Sequence, residues 1–299
     1  MSDTATAPST PPLRFPLLRI LRPRQWIKNA FVFAPLVFAG KFREPEAIGQ
    51  SAAAAVLFCL GASAIYIFND LRDLESDRQH PLKRRTRPLA SGALTPRQAG
   101  VLFFALQAAL LAGLWAAPGA VLVILGYQLL NLLYSIALKH VPILDLFCIA
   151  AGFVLRVYAG AVVLEVPLSS WMLNTTLCLA LYLAATKRRQ ELDGNGQAGR
   201  AVLAHYSVAL LEYYAFVSAV CAVIFYALFT LTVRQQLQPT IPLVLLGFFR
   251  YRYVVERKGG GESPTDVVWQ DWPLALIVLA WVVLCAALLL LSHEPPNVR

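Results

Sequence analysis

The chain has 299 residues, of which 58% are hydrophobic and only 14% are charged, whereas about a quarter of the residues in a soluble domain are charged. This composition excludes an ordinary water-soluble enzyme, and repeated apolar runs of about 20 residues are typical of a polytopic membrane protein. The 26 Lys and Arg residues outnumber the 17 Asp and Glu residues by nine, so the surplus must serve membrane orientation, an anionic ligand, or both.

The start of the chain and its cysteines indicate no processing, disulfide or zinc site. Residues 1–20 open with a stretch rich in Ser, Thr and Pro that lacks the basic-then-apolar order of a signal peptide, and we expect a disordered cytosolic tail. The five cysteines lie in apolar stretches and form no C-x-x-C pair, which is typical of small buried side chains.

Apolar windows bounded by Pro, Gly or charged residues predict an all-α polytopic membrane protein with nine transmembrane helices. The spans are expected near residues 27–40, 48–69, 97–116, 119–137, 143–164, 169–186, 208–233, 240–255 and 272–292. Polar segments follow the second, fourth, sixth and eighth spans, which suggests two four-helix halves plus a ninth helix. Residues 21–293 would then form a single nine-helix catalytic domain, and residues 294–299 a short non-cytoplasmic tail.

The distribution of positive charge orients these spans. With nine crossings, 21 of the 26 Lys and Arg residues fall on one side of the membrane. The positive-inside rule makes that side cytoplasmic, with the N-terminus inside and the C-terminus outside a cell membrane. Most acidic residues share the crowded side, and because acidic residues contribute little to topology, they need a separate explanation.

Three carboxylates follow the second span, in the pattern Asn69-Asp70-x-x-Asp73-x-x-x-Asp77. On a continuing helix these carboxylates fall within about 60° of arc. Unpaired, they would repel one another, a cost that a divalent cation removes. Ligands that are all oxygen favour Mg²⁺, which usually bridges to substrate phosphates. The alternative is a solvated helix end that is balanced by neighbouring arginines.

A basic loop follows this motif. Four cations lie within residues 83–87, and Pro88 and Gly92 interrupt the chain just beyond them. Arg offers fork-shaped donors and Lys a point charge, which is what a phosphate or diphosphate requires. The alternative is a topology anchor that also contacts anionic lipid.

Together these motifs resemble the UbiA superfamily of intramembrane prenyltransferases. The similarity includes the aspartate motif at 69–77, the basic loop at 83–92, and Tyr134-Ser135-x-x-x-Lys139 with Asp145 after the fourth span. It extends over essentially all nine spans. The resemblance implies a helical bundle with a polar cavity near the cytoplasmic face, which binds a Mg²⁺-diphosphate and opens laterally to lipid.

One difference from typical members indicates which branch of the superfamily the chain resembles. Typical members that use an aromatic acceptor carry a second aspartate-rich motif after the sixth span, whereas this chain has Lys187-Arg188-Arg189-x-Glu191. Adjacent cations favour recognition of a further phosphate that carries no metal, although Lys187 and Glu191 could form only an exposed i,i+4 pair. This sequence, with residues 22–29 and Tyr206-Ser207, resembles the decaprenyl-phosphate phosphoribosyltransferase branch of the superfamily.

That branch implies a Mg²⁺-dependent glycosyltransferase acting on two phosphate-bearing substrates. It would transfer 5-phosphoribose from phosphoribosyl diphosphate (PRPP) to a polyprenyl phosphate of the decaprenyl type, in cell-wall arabinan precursor synthesis. The products would be polyprenylphosphoryl-5-phosphoribose and diphosphate. The expected partners are these substrates and membrane lipids, with no nucleic acid; the oligomeric state is unknown from the sequence.

We assign roles to residues on this basis. Asp70, Asp73 and Asp77 are expected to be catalytic and, with Asn69, to hold the metal. The residues expected to bind PRPP are Lys28, Tyr66, Lys83, Arg87, Tyr134, Lys187, Arg188 and Glu191. Lys139 and Arg156 are expected to bind the polyprenyl phosphate.

Two alternatives stay open. The first is conventional transfer of a prenyl group from a prenyl diphosphate to an aromatic or other small acceptor, in which Glu191 and Asp193 could contribute to a second metal. The second is a transporter or lipid flippase, which would require charged or Gly/Pro-broken positions at midplane depth in paired spans. Most charges here cluster at one face instead.

Overall fold

The computed structural model describes residues 15–195, 201–258, 267–268 and 270–292. Every regular element in these residues is helical, which confirms the all-α prediction. Most of the N-terminal tail expected at 1–20, and the tail expected at 294–299, lie outside the described residues.

Eight long helices account for most of the described chain. They are α1 Pro45–Arg72, α2 Pro96–Ala112, α3 Pro118–Ile136, α4 Leu144–Val163, α5 Ser170–Asn195, α6 Val208–Thr232, α7 Ile241–Lys258 and α8 Trp272–Ser292. Local sequence sets several of their starts. Proline occupies the first position of α1, α2 and α3, where its missing N–H costs no helical hydrogen bond. A capping box between Thr95 and Gln98 begins α2.

Within the described residues, six helices are long and apolar enough to cross a membrane, judged by length and composition: α1, α2 with Gly113–Trp115, α3, α4, α6 and α8. Helices α5 and α7 match the sixth and eighth predicted spans in position, but both end in polar and charged residues. The structure therefore confirms a helical protein with multiple apolar helices. It does not confirm the number nine or the division into two four-helix halves, and both stay predictions.

The first predicted span, 27–40, is not a regular α-helix. The chain forms a 3-10 helix at Pro23–Phe33 and then a short α-helix at Ala34–Phe38. The reason is close packing on α4, where a Cβ atom added to Gly160 would lie 2.0 Å from the carbonyl oxygen of Val32. The N-terminal segment, residues 23–38, is thus shaped by its contacts with α4.

A buried arginine joins the N-terminal segment to three helices. Arg156 of α4 donates from Nε to Asn29 Oδ1 at 2.8 Å, from Nη1 to the Gly152 carbonyl at 2.7 Å, and from Nη2 to Tyr127 Oη at 3.2 Å. Its guanidinium also lies 4.9 Å from the ring centre of Phe58 on α1. Neutral oxygens and aromatic faces thus satisfy a charge that is expensive to bury.

Candidate active site

The aspartate motif lies where helix α1 ends. The helix stops at Arg72, Asp73 takes a non-helical conformation (φ −91°, ψ 9°), and a short helix follows at Leu74–Gln79. The single continuous helical face expected for the three carboxylates is therefore wrong. Asp70 and Asp77 nevertheless come together, since both carboxylates bond to the same nitrogen atom of Arg87.

Three cations of the chain neutralise these two carboxylates. Arg87 Nη1 lies 3.1 Å from Asp70 Oδ1 and also bonds to Asp77 Oδ2. Arg22 makes a second ion pair with Asp70, and Lys83 Nζ lies 3.3 Å from Asp77 Oδ1. Both carboxylates are only 2% exposed, so their charges would be costly without these partners.

The chemistry of this cluster fits a hard divalent cation. Its candidate ligands are all oxygen atoms, and the buried Oδ1 of Asp77 has the ion pair with Lys83 but accepts no well-aligned hydrogen bond. Ser135 donates to Asn69 Oδ1 at 2.6 Å and thereby orients the amide. Across the described ranges, no three acidic, His or Cys side chains are gathered closely enough to hold a metal. Mg²⁺ commonly takes only one or two carboxylates together with substrate phosphates, so Asp70 and Asp77 suffice for such a site.

A second polar cluster is centred on Arg188, which is 1% exposed. Its Nε lies 2.8 Å from Asp145 Oδ2, its Nη1 lies 2.7 Å from Glu191 Oε2, and its Nη2 donates to Tyr134 Oη at 3.0 Å. Tyr206 donates to the other oxygen of Asp145 at 2.6 Å. The helix ends of α3, α4 and α5 and the segment before α6 are thus joined by one network of charges and phenols.

The phenol of Tyr206 is held in its neutral form. Burial, and then the hydrogen bond to Asp145, raise the pKa of Tyr206 above its ordinary value. The phenol oxygen also accepts from the backbone N–H of Ile143 at 2.6 Å. Tyr206 therefore fixes both the carboxylate of Asp145 and the turn that begins α4.

Two adjacent residues at the end of α3 contact the aspartate motif and the Arg188 cluster, respectively. Ser135 contacts Asn69 of the aspartate motif, and Tyr134 contacts Arg188. Neighbouring Cα atoms are about 3.8 Å apart. The end of α3 therefore contacts both clusters.

The remaining residues predicted to bind PRPP surround this region unevenly. The guanidinium of Arg22 lies 5.1 Å from the ring centre of Tyr66, directly beside Asp70. Lys187 is 35% exposed and lies 3.7 Å from Glu191, and Lys28 is half-buried in the N-terminal segment. Arg189, the third cation of its run, faces elsewhere and pairs with Glu256 at 2.6 Å.

The structure does not bring together the two residues predicted for the lipid phosphate. Lys139 is half-buried in the turn before α4, whereas Arg156 lies twelve residues beyond the start of α4 at Leu144, about 18 Å along the helix. Each Arg156 nitrogen already has a protein partner. One phosphate group cannot contact both side chains in this arrangement.

Three residues of the site were not assigned from the sequence. Arg22 and Tyr206 belong to segments that carry the family resemblance, and Asp145 was noted only as part of a motif. The sequence offers one indication that Asp145 belongs to the site, namely an acidic side chain at the start of an apolar span. Ionisable groups at such positions are usually functional. For Arg22 the partner Asp70 is 48 residues away, and no sequence pattern indicates that pairing.

The chain belongs to the UbiA prenyltransferase family, which it matches over residues 30–265. This confirms the family resemblance seen in the motifs. The fold agrees, because a UbiA homolog from Archaeoglobus fulgidus, solved bound to GPP and Mg²⁺, superposes with a TM-score of 0.69 at 20% sequence identity. The alignment covers 92% of this chain and 100% of that one.

Curated relatives are more similar in sequence. The decaprenyl-phosphate phosphoribosyltransferase of Mycolicibacterium smegmatis is 33% identical over 304 residues, which cover 94% of this chain and 95% of that protein. The protein of the same name from Mycobacterium tuberculosis is 33% identical over 282 residues, covering 91% of this chain and 93% of its own length. The branch of the family indicated by the motifs is thus also the one to which these relatives belong.

Proposed function

We propose that the protein is a polyprenyl-phosphate phosphoribosyltransferase that transfers 5-phosphoribose from PRPP to a polyprenyl phosphate of the decaprenyl type. The products are polyprenylphosphoryl-5-phosphoribose and diphosphate. Relatives of this name that match along nearly the whole chain support the proposal. The structural observation that carries it is the Arg188 cluster, which stands where conventional members have a second aspartate motif.

The Arg188 cluster is poorly suited to a second metal. Glu191, the carboxylate that could have contributed, bonds to Arg188 and lies near Lys187. Asp145 is fully buried and accepts from both Arg188 and Tyr206. Unlike the aspartate motif, this cluster is built on the adjacent cations Lys187 and Arg188 and on the phenols of Tyr134 and Tyr206. Such groups favour a phosphate without its own metal.

The donor diphosphate is proposed to bind at the aspartate motif. Asn69, Asp70, Asp73 and Asp77 would hold Mg²⁺, which when bound supplies charge stabilisation and a template for the leaving diphosphate. The cations already present in this cluster then bind phosphate oxygens from the protein side. These are Lys83 and Arg87, and Lys28 and Tyr66 are proposed to bind the same diphosphate.

The rest of the donor extends toward the second cluster. The ribose 5-phosphate and hydroxyls are proposed to contact Tyr134, Lys187, Arg188 and Glu191. Lys187 and Arg188 suit the phosphate, and Glu191 can accept from a ribose hydroxyl. Binding at both ends fixes the anomeric carbon between the clusters, so that positioning supplies much of the rate.

The acceptor phosphate is proposed to attack the anomeric carbon from the face opposite the diphosphate. The bond from carbon to the diphosphate oxygen breaks with its electron pair, and a bond to the lipid phosphate oxygen forms. Because that oxygen is already anionic, no general base is required. Of the two residues assigned to the acceptor, Lys139 has the stronger support, since it lies at the end of the bundle that carries both clusters, whereas Arg156 lies about 18 Å deeper.

The cellular setting follows from the same proposal. We place the protein in the cell membrane as a nine-helix UbiA bundle formed by residues 21–293, with the N-terminus and the active site cytoplasmic and the C-terminus outside. The distribution of Lys and Arg supports this orientation. The product would serve as a precursor of cell-wall arabinan.

The proposal is tested by offering two labelled donors to the purified protein in lipid nanodiscs. With Mg²⁺ and decaprenyl phosphate, labelled PRPP should yield a labelled lipid and release diphosphate. Labelled prenyl diphosphate with an aromatic acceptor should yield nothing. A prenylated acceptor together with no ribosylated lipid would replace this proposal with the conventional family reaction.

A further inference from the structure

Arg22 lies where its guanidinium can pair either with Asp70 or with an anionic ligand. Its guanidinium pairs with Asp70, which is 2% exposed, while the Arg22 side chain itself is 31% exposed. The same guanidinium lies over the ring of Tyr66, with 5.1 Å between the guanidinium carbon and the ring centre. Arg22 therefore lies at the boundary between the buried carboxylate and the space that a ligand must enter.

The backbone around Arg22 is built to hold it there. Arg22 has a left-handed conformation (φ 54°, ψ 59°), which costs a non-glycine residue of the order of 1 kcal/mol. The conformation is supported from α1, since Ser63 donates to the carbonyl of Leu21 at 3.0 Å and Trp26 donates to Ser63 at 3.1 Å. Such strain persists only where surrounding contacts fix it, and it is enriched at functional sites.

The charges around Asp70 are close to balanced by the cations of the chain itself. Without ligands, Arg22, Lys83 and Arg87 match the negative charges of Asp70 and Asp77 and of the nearby Asp73. A divalent cation at Asp70 competes directly with the guanidinium of Arg22. The diphosphate that accompanies it brings negative charge that needs a new partner within the same few ångströms.

We propose that Arg22 is a further diphosphate-binding residue, which neutralises Asp70 in the ligand-free protein and moves to the donor's diphosphate once Asp70 is taken up by a divalent cation. The inference rests on the proposed function in that the diphosphate belongs to PRPP. It predicts opposite effects on two ligands. Loss of Arg22 removes a competitor of the cation and, at the same time, a partner of the diphosphate.

The test measures two binding reactions of the full chain in nanodiscs. Mn²⁺ binding without phosphate is followed by the loss of the free-ion electron paramagnetic resonance signal, and inorganic diphosphate binding at saturating Mg²⁺ by calorimetry. In Arg22→Gln, Mn²⁺ should bind about threefold tighter, since a part-exposed ion pair contributes little. Diphosphate should bind about tenfold weaker or more, the usual effect of losing a charged hydrogen bond.

A matched control separates contact from overall charge. Arg24→Gln removes the same charge two residues away, from an exposed side chain that makes no ion pair within the described chain, and it should change each affinity by less than about twofold. If Arg22→Gln weakens both ligands in parallel, or shifts neither, the exchange is wrong. Should that variant fail to fold, Arg22→Lys keeps the charge without the paired donors and should weaken diphosphate alone about threefold; unchanged diphosphate binding overturns the proposal.

The same experiment keeps the two proposals distinguishable. Neither Mn²⁺ nor inorganic diphosphate contains a ribose. If both shifts appear but labelled PRPP gives no ribosylated lipid, the proposed function fails and the exchange at Arg22 stands. If the wild-type protein turns over PRPP but the opposite shifts are absent, the function stands and the exchange is refuted.

Discussion

Removing either member of the buried pair between Asp145 and Arg188 should destabilise the protein as much as removing both members together. Asp145 is 0% exposed and Arg188 is 1% exposed, with 2.8 Å between Oδ2 and Nε. Loss of one member leaves the other as an uncompensated buried charge, which typically costs about 3–5 kcal/mol. Because Glu191 still faces Arg188 at 2.7 Å, we expect about 3 kcal/mol for Asp145→Asn and a similar value for Arg188→Met.

The double variant tests this reasoning. In Asp145→Asn/Arg188→Met neither buried charge is left without its partner, and replacing a buried pair by neutral groups is often close to neutral. Tyr206 and Tyr134 still lose or weaken one hydrogen bond each, and Glu191 loses its bond to Arg188, about 1 kcal/mol for each of the three contacts. We therefore expect a total loss of about 3 kcal/mol against about 6 for the sum of the single variants, a coupling near 3 kcal/mol.

The measurement is reversible unfolding in mixed micelles for the wild type, both single variants and the double variant. Single losses that add to within about 0.5 kcal/mol would refute the coupling. Phosphoribosyl transfer should be lost in the double variant although its stability is largely retained, because Arg188 is proposed to bind the donor. As a control, Arg250→Met breaks a pair with the buried Asp271 outside the site and should lower stability while the folded protein stays active.

Three further changes probe other parts of the site and fold. Asp77→Asn should weaken Mn²⁺ binding about tenfold and lower turnover about a hundredfold, measured by resonance titration and diphosphate release; retained affinity would argue against Asp77 as a metal ligand. Lys139→Ala should raise KM for decaprenyl phosphate about tenfold and leave KM for PRPP within about twofold, and equal changes in both would misplace the acceptor. Gly160→Ala should destabilise the protein by about 3 kcal/mol in micelle unfolding because its Cβ meets the Val32 carbonyl, whereas Gly126→Ala, which meets nothing within 4 Å, should cost less than about 0.5 kcal/mol.

Local patterns predicted the helices and the polar segments at their ends. The apolar windows at 48–69 and 272–292 correspond to α1 and α8 within a few residues, because burial in lipid requires long uninterrupted helices. The prediction of a regular span at 27–40 was wrong, although it rested on the same apolar composition as the correct ones. Apolar composition does not report how close two backbones come, and the approach of Val32 to Gly160 is a tertiary fact.

The site was predictable in its residue types but not in its pairings. The sequence identifies the carboxylates at 70 and 77 and the cations at 83 and 87, and it offers neighbouring arginines as an alternative source of charge balance. It does not indicate the break after Arg72 or which cations pair with the two carboxylates. Both depend on contacts between distant segments, such as Arg22 with Asp70. Arg156 shows the same limit, because its partners Asn29 and Tyr127 come from distant segments and no sequence pattern indicates those contacts.

The hydrogen bond between Asn29 and Arg156 also determines when, during synthesis, the N-terminal segment can reach its final position. The two residues are 127 positions apart, so at about 5–20 residues per second the ribosome needs about 6–25 s to supply Arg156 after Asn29 has been made. Until α4 has entered the membrane, the N-terminal segment has neither the hydrogen-bond donor nor the glycine surface against which it packs. The part of the chain that bears Arg22 is synthesised first, but it reaches its place only after half of the protein exists.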